Sequence, residues 1–202
     1  MDKFAMNAMK SSVNSQVSNM KASLSSSPIK WENFNYPPLL NLIHYSSEEL
    51  PDSIKRLVKC IHSSFLILIL ILIINVVNCI VQTSQDGEGI NIFYSFLNIL
   101  IFVPLALFTF YRGYKGLAAD SYLLRFYKIA QIILILCYLI FSIISAGAFN
   151  GWVRAKHLME KENYFTGALS IIESSLYDIN VFLAIYCVIG AHQYRDTGDN
   201  RV

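Results

Sequence analysis

Residues 65–77 read FLILILILIINVV, and this stretch decides the fold of the chain. It is apolar on every side of a helical wheel apart from Asn75, whereas a core helix of a soluble domain carries polar residues at helical spacing. No Asp, Glu, Lys or Arg occurs from Cys60 to Gln85, an interval longer than the roughly 20 residues that cross the hydrocarbon core of a bilayer. The stretch therefore predicts a membrane-spanning helix.

Two further intervals, 89–111 and 129–153, also lack charged residues. Hydrophobic residues make up 54% of the 202-residue chain and charged residues only 15%, against about 25% charged residues in ordinary soluble domains. We predict an all-α integral membrane protein, a four-transmembrane-helix bundle forming a domain over residues 61–192. The expected spans are about 61–81, 90–110, 129–149 and 166–192.

The remainder of the chain divides by composition. Residues 1–30 are rich in Ser, Asn and Lys and predict a disordered tail, whereas residues 31–60 are aromatic and Pro-rich. We expect the second segment to be ordered, extended and close to the membrane, since each Pro restricts the residue before it. The first 30 residues hold no continuous apolar region of a signal peptide, and a short tail is expected over 193–202.

The basic residues near the span ends predict the orientation. Nine of them fall on the side of the two termini and three on the other side. The nine are Lys55, Arg56, Lys59, Arg112, Lys115, Arg125, Lys128, Arg195 and Arg201, and the three are Arg154, Lys156 and Lys161. Both termini and the 111–128 loop are therefore expected to be cytosolic.

The segment FYRGYKGLAADS, residues 110–121, is amphipathic at helical spacing. Its apolar side carries Phe110, Tyr114 and Leu117, and its opposite side carries Arg112, Lys115 and Ala119. Such a segment is suited to the membrane interface, with its rings among acyl-chain ends and its cations among anionic headgroups. Gly113 and Gly116 weaken the helix, so we expect a partly ordered loop. Basic residues that only flank the spans, together with aromatic residues at the membrane interface, would produce the same pattern.

Two acids, Glu173 and Asp178, fall inside the fourth span, where each costs about 2.5–3.5 kcal/mol on insertion scales. A polar layer in the luminal half would also include Asn75, Asn78, Ser95, Asn98, Ser142 and Ser145. Three interpretations stay open. The acids form interhelical hydrogen bonds, a late helix start leaves Glu173 in water, or the two acids form a proton- or cation-coupling site.

The segment 110–121 resembles the cytosolic loop between spans two and three of the secretory carrier-associated membrane proteins. The family pattern is Trp-Tyr-Arg-Pro-x-Tyr-x-Ala-x-Arg-x-Asp-Ser. Matches or near-matches are Phe110, Tyr111, Arg112, Tyr114, Lys115, Ala118, Asp120 and Ser121, whereas Gly113 replaces the family's Pro. NYPPLLNLIHYSSEELP, residues 35–51, is similar to the family's Asn-Trp-Pro-Pro segment. Its matching residues are Asn35, Tyr36, Pro37, Pro38, Glu49 and Pro51.

This resemblance implies a non-enzymatic protein of post-Golgi vesicles, found at the trans-Golgi network, recycling endosomes or plasma membrane and acting in secretory and endocytic recycling traffic. Its loop would engage anionic lipids such as phosphoinositides and assist fusion or sorting. The loop residues concerned are Tyr111, Arg112, Tyr114, Lys115, Asp120, Arg125 and Lys128. Vesicle-trafficking proteins and a homo-oligomer are further expected partners. Binding of endocytic adaptors through Asn-Pro-Phe repeats is not expected, because residues 1–34 lack such repeats.

No pattern indicates an enzyme, a metal site, a cofactor or nucleic-acid binding. The four Cys fall at or inside the spans and the four His are scattered without metal-ligand spacing. The alternative function is a small ion- or proton-coupled transporter using Glu173 and Asp178. YPPL (36–39) and YKGL (114–117) match the short Tyr-based pattern read by clathrin adaptors, a match that often arises by chance.

Overall fold

A computed structural model of the chain describes residues 29–86 and 89–199. Of the predicted N-terminal tail, residues 1–30, the structure describes only residues 29 and 30. Arg201 also lies outside the described residues. Five helices follow in chain order: α1 (Asp52–Asp86), α2 (Ile90–Ala118), α3 (Leu123–Ile143), α4 (Trp152–Glu160) and α5 (Tyr164–Asp199). All except α4 are long and apolar enough to cross a membrane, so the four-span prediction is confirmed.

The helices extend beyond the predicted spans, because a helix does not end where the hydrocarbon core ends. α1 begins directly after Pro51, whose carbonyl accepts hydrogen bonds from the N–H groups of Ile54 and Lys55. At the other end of the chain, α5 begins at Tyr164 and continues to Asp199, so most of the expected C-terminal tail is helical.

The third span ends earlier than predicted, at Ile143 rather than near residue 149. Ile144 is extended and Gly147 has a φ of 57°, so the chain leaves the helix and turns back. The turn closes where Gly151 N–H donates to the carbonyl of Ile144 at 2.9 Å. A Cβ on Gly151 would lie 2.5 Å from that carbonyl oxygen, so this close approach requires glycine.

The 111–128 loop predicted from the sequence is wrong in its extent. α2 continues to Ala118 and α3 begins at Leu123, which leaves only residues 119–122 as a turn. Gly113 and Gly116 do not loosen this helix but allow α3 to pack against it. A Cβ added to Gly113 would lie 2.8 Å from the ring of Tyr127. A Cβ added to Gly116 would lie 2.9 Å from the backbone nitrogen of Leu124.

The interior of the helical domain forms where α1 and α3 pack against α5. Ser64 Oγ of α1 donates to Asn180 Oδ1 of α5 at 2.6 Å. Tyr138 of α3 lies 6.0 Å from Tyr177 of α5, measured between ring centroids. The outward faces of the spanning helices are rich in exposed Leu, Ile and Phe, as expected for surfaces that contact lipid.

Among the described residues, 29–55 form a separate compact unit. Its aromatic and Pro-rich segment is not extended as predicted, because the chain reverses direction between Tyr36 and Ile43. These two residues pair as an isolated antiparallel bridge, with N–H to carbonyl distances of 2.9 Å in both directions. Asn41, with a φ of 47°, completes the reversal.

Candidate functional site

The best-defined polar site surrounds Glu173, which is fully buried in the inward face of α5. Its Oε1 accepts a hydrogen bond from Asn75 Nδ2 of α1 at 2.9 Å. Its Oε2 accepts one from Asn150 Nδ2, in the turn before α4, at 3.2 Å. One carboxyl group thus joins three separate parts of the chain. Because the group is buried and bonded, the interpretation that a late helix start leaves it in water is wrong.

Gln82 links this carboxyl group to a cation. Its Nε2 donates to Asn150 Oδ1 at 2.8 Å and to Asn78 Oδ1 at 3.1 Å. Its Oε1 accepts from Arg154 Nε at 3.0 Å and from Arg154 Nη2 at 2.6 Å. Arg154 therefore reaches Glu173 only through two intervening side chains.

Further bonds attach the turn of residues 144–151 to the helices. The carbonyl of Ala148 accepts hydrogen bonds from Asn75 Nδ2 and, at 3.3 Å, from Asn150 Nδ2. Ser174 Oγ of α5 donates to the carbonyl of Asn150 at 3.2 Å. Asn78 Nδ2 donates to Ser170 Oγ at 2.9 Å, which adds another α1–α5 bond. We call Asn75, Asn78, Gln82, Asn150, Arg154 and Glu173 the polar cluster.

The structure does not bring the second intramembrane acid into the polar cluster. Asp178 follows Glu173 by five positions, which places it about 140° around the helix at about 100° per residue. Its Oδ2 accepts a hydrogen bond from Trp152 Nε1 at 2.9 Å. The two acids therefore have different partners, and the arrangement does not form the paired site that ion coupling through both would use.

Of the predicted polar layer, the structure places Asn75, Asn78 and Glu173 in the polar cluster but not the Ser residues of α2 and α3. Ser95 of α2 and Ser142 of α3 each donate to a carbonyl of their own helix, and Ser145 is exposed. The sequence analysis missed Gln82, although its spacing from Asn75 and Asn78 places all three on one face of α1. It also missed Asn150 and Arg154, for which the sequence offers no signal because their partners depend on the turn before α4.

At the opposite end of the domain, Arg112 lies between two exposed aromatic rings. Its guanidinium carbon is 4.7 Å from the ring centroid of Phe108 and 5.8 Å from that of Phe126. Lys115 Nζ lies 5.9 Å over the ring of Tyr111. Arg125 is exposed and Lys128 half-buried. We call Arg112, Lys115, Arg125 and Lys128 the cationic end.

The rings expected among acyl chains are instead inside the protein. Phe110 and Tyr114 are buried and stack with ring centroids 6.3 Å apart, and Phe110 also stacks on Phe65 of α1. The YKGL pattern is equally inaccessible, since Leu117 is buried. Asp120, the other predicted loop residue, accepts a hydrogen bond from the N–H of Tyr122 at 3.1 Å and so stabilises the turn.

The membrane-proximal motif residues stabilise the chain reversal at residues 35–45. Asn35 Oδ1 accepts from the N–H of Tyr45 at 2.8 Å, and Asn35 Nδ2 donates to its carbonyl at 3.0 Å. Glu49 Oε2 lies 3.0 Å from His44 Nε2. Pro37 follows a cis peptide bond, Pro38 is exposed beside it, and Pro51 precedes α1.

Comparisons with known proteins give one consistent result. A family model described as the SCAMP family matches residues 33–198. Secretory carrier-associated membrane protein 4 of Pongo abelii is 28% identical over 126 residues, which cover 58% of this chain and 54% of that protein. The protein of the same name from Bos taurus is 30% identical, with the same coverage. The match thus spans about half the length of these relatives. No solved structure matches.

Proposed function

The chain belongs to the secretory carrier-associated membrane protein family, and from this membership we propose that it is a non-enzymatic, multi-pass protein of post-Golgi secretory and recycling vesicles. The family match over residues 33–198, together with four membrane-spanning helices, carries the proposal. The trans-Golgi network, recycling endosomes and plasma membrane are the proposed locations. Both termini and the cationic end face the cytosol, following the distribution of Lys and Arg.

We further propose that the cationic end engages anionic lipid, phosphoinositides included. Each Lys or Arg near the surface of an anionic leaflet contributes about 1 kcal/mol. The surroundings of Arg112 support this role, because Phe108 and Phe126 are exposed beside it and suited to the membrane interface. The lipid-facing rings are therefore Phe108 and Phe126 rather than the buried Phe110 and Tyr114.

The short connection between α2 and α3 supports a role of the cationic end in fusion or sorting. α2 and α3 are joined by only four residues, so lipid bound at the cationic end acts on two membrane-spanning helices together. Vesicle-trafficking proteins and a second copy of the chain are the proposed protein partners. Ion coupling is less well supported, since Glu173 and Asp178 bind different partners.

The test replaces Arg112, Lys115, Arg125 and Lys128 by Ala and follows secretion and recycling of cargo in cells that lack the endogenous protein. We expect slower traffic with normal expression and with both termini still cytosolic, as judged by tags after selective permeabilisation. The matched control replaces Lys156 and Lys161, on the opposite side of the membrane, by Ala and should have normal traffic. Normal traffic in the quadruple variant would contradict the proposal.

A second experiment tests the location. Tagged protein is imaged against markers of the Golgi, endosomes, plasma membrane and endoplasmic reticulum. Post-Golgi and endosomal membranes are the expected sites. Stable residence in the endoplasmic reticulum, with correct topology and a folded protein, would contradict a role in secretory carriers.

A further inference from the structure

The carboxyl group of Glu173 lies inside the helical domain without a cationic side chain in contact with it. Glu173 is fully buried, and among the described residues it forms no salt bridge. Arg154 reaches it only through Gln82 and Asn150. A buried carboxylate is costly unless it is paired or binds a metal ion. The negative charge therefore needs a balancing group other than a basic side chain.

The hydrogen bonds of this carboxyl group are those of its ionised form. Oε1 accepts from Asn75 Nδ2 at 2.9 Å, and Oε2 accepts from Asn150 Nδ2 at 3.2 Å. An ionised carboxylate only accepts hydrogen bonds, whereas a protonated one has an O–H that also needs an acceptor. The two amides stabilise the charged form but do not neutralise it, because an amide group has no net charge.

A second buried oxygen beside the carboxylate lacks a partner. Asn75 is 1% exposed, and its Oδ1 accepts no hydrogen bond from the described residues. The oxygen and nitrogen of one amide lie about 2.3 Å apart, so Asn75 Oδ1 is within roughly 5.2 Å of Glu173 Oε1. Two oxygens at that separation can share one cation, since Na⁺ is close in size to Ca²⁺, which binds oxygen at about 2.3–2.6 Å.

The surrounding backbone also suits a cation. The turn of residues 144–151 carries non-helical backbone to the level of Glu173, because the Asn150 side chain and backbone carbonyl both bind α5 there. Non-helical backbone at membrane depth occurs where it is buried in protein or lines a cavity, and interrupted helices supply cation sites in membrane proteins. α3 ends at Ile143, just before this turn, and the C-terminal end of a helix is partially negative.

We propose that the Glu173 carboxylate and Asn75 Oδ1 bind a small monovalent cation, Na⁺, inside the helical domain. The charge fits, because the site offers one carboxylate among neutral groups. A divalent or transition metal is disfavoured, since the part of the chain that the structure describes holds no group of three or more His, Cys, Asp or Glu suited to a metal ion. Asp178 takes no part, because it binds Trp152.

The bound ion joins α1 to α5 and so stabilises their packing. The proposal requires binding only, without transport, and it is independent of the lipid and trafficking roles proposed above. Na⁺ should therefore act on the stability of the folded chain, which can be measured on the purified protein.

The test is thermal unfolding of the full chain in detergent, with Na⁺ exchanged for N-methyl-D-glucamine at constant ionic strength. The organic cation screens surface charges equally but is too large for the site. A ligand that binds only the folded state raises the unfolding midpoint as its concentration increases. We expect a rise of roughly 3–6 °C for a tenfold increase in Na⁺ above the dissociation constant.

Two variants locate the ion. Glu173→Gln has nearly the same shape and should lose the rise with Na⁺, whereas Asp178→Asn, the matched control on the same helix, should keep it. Each rise is measured within one variant, so a change in basal stability does not affect the comparison. Equilibrium binding of radioactive Na⁺ gives a second measurement, with binding expected for the native chain and lost in Glu173→Gln.

Equal midpoints of the native chain in Na⁺ and in N-methyl-D-glucamine would overturn the proposal. A Glu173→Gln variant that keeps the rise would also overturn it, because the ion would then bind elsewhere. A native chain that ignores Na⁺ but is stabilised by acid, while Glu173→Gln is not, would overturn it as well. That result would identify a proton as the group that balances the carboxylate.

Discussion

Asn75 and Glu173 join α1 to α5 through a hydrogen bond of 2.9 Å between the amide nitrogen and the carboxyl oxygen. The bond lies in the buried interior of the helical domain, where neither group can exchange its partner for water. Interhelical hydrogen bonds in membrane proteins are worth about 0.6 kcal/mol on average, but an orphaned buried donor costs about 1–3 kcal/mol. The polar cluster should therefore tolerate small changes poorly.

Glu173→Leu should lower the free energy of unfolding in detergent by about 1–3 kcal/mol, because the side-chain amides of Asn75 and Asn150 each lose one acceptor and keep the carbonyl of Ala148. The stability of Glu173→Gln should lie between that of Glu173→Leu and that of the native protein, since the Gln amide retains one acceptor oxygen. Asp178→Asn is the matched control and should be nearly neutral, because the Asn oxygen can still accept from Trp152. Equal stability of the Leu variant and the native chain would exclude a structural role for Glu173.

Arg154→Ala should destabilise the protein by about 1.5–3 kcal/mol, the usual value for hydrogen bonds to a charged group. The change removes both bonds to Gln82 Oε1 and leaves the bond from Gln82 Nε2 to Asn150 in place. Lys156→Ala on the same helix is the control, because Lys156 is 80% exposed and forms only a 3.8 Å surface pair with Glu160. Equal unfolding midpoints for the two variants would show that the hydrogen bonds between Arg154 and Gln82 do not stabilise the protein.

Gly151→Ala should disrupt the turn between α3 and α4. The added Cβ would lie 2.5 Å from backbone atoms of Ile143 and Ile144, which cannot move without opening the turn. Overpacking of this kind costs about 1–3 kcal/mol. Gly89→Ala serves as the control, since nothing lies within 4 Å of its Cβ position. Limited proteolysis should cut the first variant more rapidly between α3 and α4, and uncut protein would contradict the predicted strain.

Gly116→Ala should also destabilise the protein, although Ala favours a helix over Gly by about 1 kcal/mol. The new methyl group would lie 2.9 Å from the backbone nitrogen of Leu124 and would push α2 and α3 apart. The measurement is thermal unfolding of the full chain in detergent. An increase in stability would show that helix propensity outweighs packing at this contact.

Arg112→Lys should retain affinity for anionic vesicles, whereas Arg112→Ala should lose about 1 kcal/mol, or roughly fivefold, because it removes one cation. The loss should shrink at high salt, since screening weakens interactions between exposed charges. Lys156→Ala, on the other side of the membrane, controls for loss of one positive charge. The measurement is recruitment of phosphoinositide vesicles to the detergent-solubilised protein. Equal recruitment by Arg112→Ala and the native protein would show that Arg112 does not contact lipid.

The helical periodicity of residues 110–121 identified a real face but not its surroundings. Phe110, Tyr114 and Leu117 do share one side of α2, yet that side packs against protein rather than lipid. Lipid chains and a protein core are equally apolar, so a sequence pattern cannot distinguish them. The exposed Phe108 and Phe126 lie on different helices and approach each other only around Arg112.

The amino-acid sequence is sufficient to predict the number and approximate positions of the membrane-spanning helices. This follows because crossing a bilayer depends on the summed apolarity of about 20 consecutive residues, which is a local property. The sequence also identified Glu173 as a candidate site residue, since an acidic side chain inside a membrane-spanning helix is costly and rare. The tertiary structure alone decided which groups satisfy that acid. Asn75 and Asn150 reach Glu173 only when α1, α5 and the turn at Gly151 pack together, because hydrogen-bond partners distant in sequence are fixed by that packing.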